Sequence, residues 1–429
     1  MTPGEDRAQA TADPAADMPM PAIAVHADLL ARHGDVTVHP MAEPPEQPTF
    51  VVDGNALTLL DTGPRRLEAL LALIRGAQRS LRLLFYIYVA DHAGQAIRDA
   101  LIDARRRGVA VSLTIDGMGS EPAAARDFFG PLAAEGADVC QFIPRWGRRY
   151  LLRNHQKLAI ADEAQAIVGG FNVQDSYFGT PAEQAWRDLG LLVDGPAVAR
   201  LAGYYDALAK WMHTPKAKMR SLRKLLRRWS EPRGTARWLL GGPTRRLSPW
   251  AKVVRSDMRR AARTDIIAGY FAPSPAMLRR LDKVGLRGHV RLVLPSKTDH
   301  GAALWASHFT YAGLLRKGVQ IFEYQPTKLH TKLYVIDDTV HIGSANFDMR
   351  SLFLNLELML RVHDPAFAAH VRAYVDGEIA NSTQISEALY RARTTPWMRV
   401  KQFAAYFVMA VLDPSVSRGL NFGNEGRIE

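Results

Sequence analysis

Two stretches of the chain repeat one arrangement of reactive side chains. "HQKLAIAD" carries His155, Lys157 and Asp162, and "HTKLYVID" carries His330, Lys332 and Asp337 in the same frame. In a chain with 13 His, shuffling the composition yields this pattern only about 0.02 times, so two copies are not accidental. The flanks repeat too. "AIVGGFN" follows the first copy and supplies Asn172, while "VHIGSANFD" follows the second and supplies Ser344 and Asn346.

Two imidazoles facing one atom suit displacement at phosphorus. One His attacks and becomes a phosphohistidine; the other protonates the leaving alkoxide and then deprotonates the incoming alcohol or water. Lys157, Lys332 and the amides of Asn172 and Asn346 are of the right type to stabilise charge on the equatorial oxygens. With Lys supplying that charge, no metal and no cofactor is expected. A nucleophilic His also needs an acceptor on its other ring nitrogen to fix the tautomer. Asp188 in "WRDLGLLVDG" and Glu357 in "NLELMLRV" are the candidates, each on a later strand of its own repeat. Asp162 and Asp337 are counted with the catalytic motif, although their place at the end of the His/Lys strand suits a role in ordering the local turn.

The elements that must position these residues repeat as well. "RLEALLALIRGAQRSLRLLFYIYV" and then "AGQAIRDALIDARRRGVAVSLTIDG" read as helix, strand, helix, Gly, strand. "KVVRSDMRRAARTDIIAGYFAP" and "SPAMLRRLDKVGLRGHVRLVLPSK" repeat that order. Apolar residues three and four apart alternate with continuous Val/Ile/Leu runs, which predicts an α/β architecture of buried strands covered by helices. Each motif is expected on a strand, with His and Lys on one face and Gln156 or Thr331 on the other. The reading is a leader over 1–47, a first domain over 48–205, a connector over 206–244, a second domain over 245–385 and a tail over 386–429. Two such domains about a pseudo-twofold axis would form one site between them.

The net charge of +12 attracts the chain to nucleic acid or to an anionic membrane. A single cysteine, Cys140, excludes an internal disulfide and a zinc cluster of thiolates. The leader lacks the basic and apolar regions of a signal peptide and reads as disordered. No run reaches the roughly 20 apolar residues of a membrane span. "KAKMRSLRKLLRRWSEPRGTARWLLGG" sets Met219, Leu222, Leu225, Leu226 and Trp229 on one helical face among six cations. Such a helix suits an anionic bilayer surface; the alternative is an ordinary helix packed by its apolar stripe. "WMRVKQFAAYFVMAVLDP" is a second interfacial candidate.

The duplicated HxKxxxxD and its downstream G-G/S-x-N resemble the signature of the phospholipase D superfamily. "YFAPSPAMLRRL", "LPSKTDH", "GSANFDMRSLFLNLEL" and "WRDLGLLVDGPAV" are most similar to bacterial cardiolipin synthases. The resemblance spans about residues 50 to 385. It implies two tandem phospholipase D-like α/β sandwich domains with the site at their interface. It also implies phosphatidyl transfer between two phosphatidylglycerol molecules at the cytoplasmic face of the membrane, with the protein bound peripherally. The polar leader is closer to the shorter cardiolipin synthase B branch, in which the donor varies. The usual D-G turn after the first motif is Asp162-Glu163 here. No nucleic acid partner is expected, but a phosphodiesterase acting on phospholipid or nucleic acid is the rival reading, since the same two-His site can hydrolyse DNA.

Overall fold

The computed structural model describes residues 46–120, 123, 127–143, 152–244 and 247–412. The leader reading lies almost wholly outside them, as does the end of the tail.

The first half builds strands β1 (Thr49–Val52), β2 (Asn55–Leu60), β3 (Ser80–Phe85), β4 (Ala110–Asp116), β5 (Asp138–Phe142), β6 (Leu158–Ala161), β7 (Gln165–Gly169) and β8 (Gly190–Asp194). They form one sheet in the order β1-β2-β8-β7-β6-β3-β4-β5. The second half contributes β9 (Ala236–Gly241), β10 (Arg263–Ala268), β11 (Phe271–Ala272), β12 (His289–Pro295), β13 (Gln320–Tyr324), β14 (Lys332–Ile336), β15 (Thr339–Gly343), β16 (Phe347–Asp348), β17 (Glu357–His363) and β18 (Ser382–Ile385). Its large sheet runs β9-β17-β15-β14-β10-β12-β13-β18. From β2 to β5 and from β9 to β13 the two orders coincide strand for strand. The duplicated chemistry therefore rides on a duplicated sheet.

In each sheet three strands are parallel, β3-β4-β5 and β10-β12-β13, and the motif strand pairs antiparallel to the first of them. The parallel connections need helices, and the sequence supplies them with explicit ends. Asp91 caps Gly94 N–H at the start of helix His92–Arg106, and Gly108 after it is left-handed at φ +91°. The second repeat closes helix Gly301–Leu315 with Gly318 at φ +78°. Both glycines supply a conformation that side chains with a Cβ resist.

Helices Ala197–His213 and Pro365–Ala380 lie in a core shared by both sheets. Val168, Leu191 and Val193 of the first meet Leu333, Val335 and Leu358 of the second in one buried cluster. Separate clusters cover the outer face of each sheet. Because the central core is common, the two halves are held face to face, which the site requires.

The segment read as a connector is more structured than expected. Ala236–Gly241 within it is the edge strand β9 of the second sheet. Helix Met219–Trp229 does form, but Met219, Leu222 and Leu226 are buried. A Cβ on Gly203 would lie 2.5 Å from the Trp229 ring, and one on Gly242 would lie 2.1 Å from Leu226. The apolar stripe is thus used inside the protein, and only the cationic face, including Arg220, Lys224, Arg227 and Arg228, is exposed. This corrects the expectation that the stripe meets lipid. No helix among the described residues is long and apolar enough to cross a membrane.

Candidate active site

The motif histidines do not lie on strands, contrary to the expectation. β6 starts at Leu158 and β14 at Lys332, so His155 and His330 stand in the segments that lead into them. Those segments cross to the other half. His155 N–H donates to Leu356 O at 3.0 Å, and Leu356 N–H donates to Arg153 O at 2.9 Å. In the same way His330 N–H donates to Arg187 O at 2.7 Å, and Arg187 N–H to Lys328 O at 2.8 Å. Each crossing places a His beside the residue that follows its bridge partner, and that residue is a carboxylate of the opposite repeat.

The result is a pair of crossed contacts. His155 Nδ1 is 3.1 Å from Glu357 Oε2, and His330 Nδ1 is 2.6 Å from Asp188 Oδ2. Both carboxylates are fully buried. Glu357 also accepts from Ser344 Oγ at 2.5 Å and from Ser351 Oγ at 2.8 Å. Asp188 occupies the place where a Cβ on Gly170, the counterpart of Ser344, would come within 2.4 Å of its Oδ1. The G-G/S variation between the repeats thus matches a shorter carboxylate with glycine and a longer one with serine.

Each lysine lies against the histidine of its own motif. Lys157 Nζ donates to His155 O at 2.6 Å. Lys332 Nζ lies 2.5 Å from His330 Nδ1 and donates to His330 O. One ring nitrogen serves one of these partners at a time; with Nδ1–H directed to Asp188, Nε2 keeps its lone pair for a ligand. The alternation expected for the motif holds despite the missing strand. Gln156 turns away from the site, where its Nε2 donates to Tyr204 OH at 2.7 Å and to Glu357 O at 3.1 Å.

Burial controls the protonation states. It pushes His330 down to about 3, with the Lys332 charge adding to the effect and Asp188 opposing it. His155 is lowered by burial and by Lys157, against Glu357. Burial also lowers Lys332 to about 8, and it lowers Lys157 strongly; Glu357 offsets part of the shift in both. Asp188 would be raised by burial alone, but Lys332, His330 and Arg66 together hold it below the usual value. Lys332 acts on His155, and Lys157 on His330. The two motifs share one electrostatic site.

The two asparagines bind local backbone. Asn172 Oδ1 accepts from Ile87 N–H at 3.1 Å and Asn346 Oδ1 from Tyr270 N–H at 3.2 Å, at matching positions after β3 and β10. Asn172 Nδ2 donates to Tyr177 OH at 3.0 Å. The oxygens of both amides are thereby committed to tethering the site walls, in addition to the charge stabilisation expected of the amide groups.

Asp162 and Asp337 do not join the cluster. They sit at the far ends of their strands in left-handed turns, at φ 55° and 46°. Asp162 accepts from the N–H groups of Gln78, Arg79 and Ser80, and Asp337 from those of Ala262 and Arg263. Their inclusion among the catalytic residues is corrected on this geometry: they fasten the strand end to the neighbouring strand.

Aromatic walls were not foreseen. Tyr86 is 5.1 Å from the His155 ring; Tyr177 and Trp186, both at 5.3 Å, and Tyr270 at 6.2 Å surround His330. Arg66 is a further buried neighbour, donating to the backbone oxygens of Asp188 at 2.5 Å and Tyr177 at 2.7 Å. Tyr86 and Tyr270 fall one register apart after β3 and β10, so repeat matching alone would not pair them. Asp116 accepts from Asn154 N–H at 2.9 Å and so braces the approach to His155. Among the described residues no group of three or more His, Cys, Asp or Glu is arranged to hold a metal ion.

The family model described as "Cardiolipin synthase, PLD-like domain" matches twice, at residues 70–207 and 254–378. The chain belongs to this family of phosphatidyltransferases. It is 28% identical to the major cardiolipin synthase of Bacillus subtilis over 375 residues, covering 84% of this chain and 76% of that protein. It is 31% identical to cardiolipin synthase A of Pseudomonas fluorescens over 343 residues, covering 78% and 70%. The crystal structure of phosphatidylserine synthase from Haemophilus influenzae shares the fold, with a TM-score of 0.64 at 13% identity over 87% of this chain and 97% of that one.

Proposed function

We propose that the enzyme passes a phosphatidyl group through a phosphohistidine from one phosphatidylglycerol to another, making cardiolipin and glycerol. The observation that carries this reading is the crossed pair: two buried imidazoles, each with Nδ1 on a carboxylate of the opposite repeat and each beside a buried lysine. In the first step Nε2 of one His attacks phosphorus, and the bond to the glycerol head group breaks. The second His delivers its proton to the departing alkoxide. In the second step that His takes the proton of the acceptor hydroxyl, whose oxygen attacks phosphorus as the P–N bond breaks. Lys157 and Lys332 offset the charge that builds on the phosphoryl oxygens in a buried site. Burial drives both rings toward the neutral form. An incoming phosphodiester anion supplies the negative charge that favours proton uptake by one of them.

His155, Lys157, His330 and Lys332 are the residues assigned to chemistry in this reading; Asp188, Glu357, Ser344, Asn172 and Asn346 are assigned to holding them. Phospholipid is the substrate class, and the lipid origin of the substrate places the enzyme on a membrane surface. The test is to incubate the protein with radiolabelled phosphatidylglycerol vesicles and, separately, with labelled single-stranded DNA. Labelled cardiolipin, with an alkali-stable, acid-labile phosphoprotein on rapid quenching, is the expected result. Release of phosphatidic acid alone would replace transfer by hydrolysis. Consumption of DNA with lipid untouched would overturn the reading.

A further inference from the structure

Helix Pro396–Phe407 is inside out for a helix on a water-soluble surface. Its buried residues are Gln402 and Tyr406, and Gln402 accepts from Tyr390 OH at 3.0 Å. Its outward side carries Trp397, Val400, Phe403 and Phe407, with Trp397 65% and Phe403 53% exposed, and continues into exposed Val408. Exposed Trp305, on the neighbouring helix Gly301–Leu315, extends the same patch, because Lys401 Nζ lies 5.6 Å from its ring and 5.7 Å from that of Trp397. The helix is anchored from below by Phe309, which is 5.6 Å from Phe403 and 4.9 Å from Tyr406, and by Tyr406 OH donating to Pro273 O at 2.8 Å. Exposed Trp, Phe and Val side chains gathered on one helix face in this way mark a place of contact.

We propose that this face is where the enzyme rests on an anionic phospholipid bilayer. The inference rests on the phosphatidyl-transfer reading for the identity of the partner. Three observations favour lipid. First, the side chains are those of an interfacial helix: Trp and Phe at the edge, with Lys401 and Arg399 between them and no carboxylate partner for either among the described residues. Second, the chain carries a net charge of +12, which attracts it to an anionic surface. Third, the patch leads to the site. Helix Gly301–Leu315 begins directly after Asp299 and His300; Asp299 accepts from Tyr270 OH at 3.1 Å, and the Tyr270 ring packs against both His300 and His330. These contacts tie the start of the helix that carries Trp305 to the aromatic wall of His330.

The test is flotation of the full chain with vesicles of phosphatidylglycerol and phosphatidylcholine, beside phosphatidylcholine alone. The variants are Trp397→Ser/Val400→Ser/Val408→Ser and Arg399→Glu/Lys401→Glu. Both should reduce binding to the mixed vesicles about tenfold or more, since affinity follows buried apolar area and cationic charge. Turnover of a short-chain, monomeric phosphatidylglycerol should stay within about twofold, because neither variant touches the site. Brominated acyl chains should quench Trp397 fluorescence in wild type. If the triple variant fails to fold by circular dichroism, the charge reversal and the quenching decide. Wild-type binding by the charge-reversed protein, with no quenching of Trp397, would overturn the proposal. So would a dimer that the triple variant dissociates while vesicle binding is unchanged, or binding that appears only after residues 413–429 are deleted. A protein that floats through this face yet transfers no phosphatidyl group would uphold this inference and sink the transfer reading.

Discussion

His330 Nδ1 lies 2.6 Å from Asp188 Oδ2, although the two residues are 142 positions apart and belong to different repeats. His155 and Glu357 form the reciprocal pair at a separation of 202. Neither repeat therefore holds a complete His–carboxylate unit of its own. Function in this fold depends on the two halves meeting correctly, and the shared core between the sheets enforces that meeting.

Asp188→Asn and Glu357→Gln should each lower kcat by about 10² to 10⁴ with KM little changed, because the ring loses the acceptor that fixes its tautomer. Steady-state kinetics on mixed micelles check this. A change confined to KM would mean the carboxylates shape the substrate pocket instead.

His155→Ala and His330→Ala should each remove turnover to below about 10⁻³ of wild type, since attack and proton delivery need separate rings. Rapid-quench labelling separates the roles further. The variant lacking the nucleophile should show no phosphoprotein, whereas the one lacking the acid should still react with a substrate whose leaving group needs no proton. Near wild-type turnover in either variant would end the two-His scheme.

The pH profile of kcat/KM should include an alkaline limb near pH 8 that belongs to Lys332. Burial sets Lys332 at about 8 in the folded protein, so above that pH its ammonium deprotonates and the positive charge on the phosphoryl oxygens is lost. Activity should decline about tenfold per pH unit beyond the limb. Lys332→Arg, which stays protonated, should abolish this limb in whatever activity it keeps.

Stability should decline on mild acidification. The folded-state value of His330 is about 3, against roughly 6.5 in an unfolded chain. Between these two values the unfolded state binds the extra proton, so unfolding becomes easier as pH falls. The slope is up to about 1.4 kcal/mol per unit, or about 2 kcal/mol from pH 7 to pH 5. Urea melts of wild type and His330→Gln at both pH values measure it, and the variant should lack that part of the loss.

Activity should survive EDTA, because this reading assigns charge stabilisation on the phosphoryl oxygens to Lys157 and Lys332 and not to a metal ion. Dialysis against chelator followed by assay on short-chain lipid is sufficient. A strict requirement for added Mg²⁺ or Zn²⁺ at the chemical step would contradict the role given to Lys157 and Lys332.

The duplication, the alternation of helices and apolar strands, and the residue types of the site are all local properties, so the sequence by itself determined them. Spacing put His and Lys on the same side, Gly108 marked a helix end, and repeat matching singled out Asn172, Asn346, Asp188 and Glu357. Three things needed the tertiary structure. The pairing of His155 with Glu357 and His330 with Asp188 depends on chain crossings of 202 and 142 residues, and nothing in a repeat says whether its carboxylate serves itself or its twin. The separation of Asp162 and Asp337 from the site follows from strand length, because each strand carries its Asp to the opposite end from its His. The last is the exchange between the two amphipathic segments. Helix Met219–Trp229 has the stronger lipid-binding pattern in sequence, yet it packs its stripe against the protein, while Pro396–Phe407 turns its apolar side outward. Periodicity shows that a helix has two faces; only packing decides which of them is left to water.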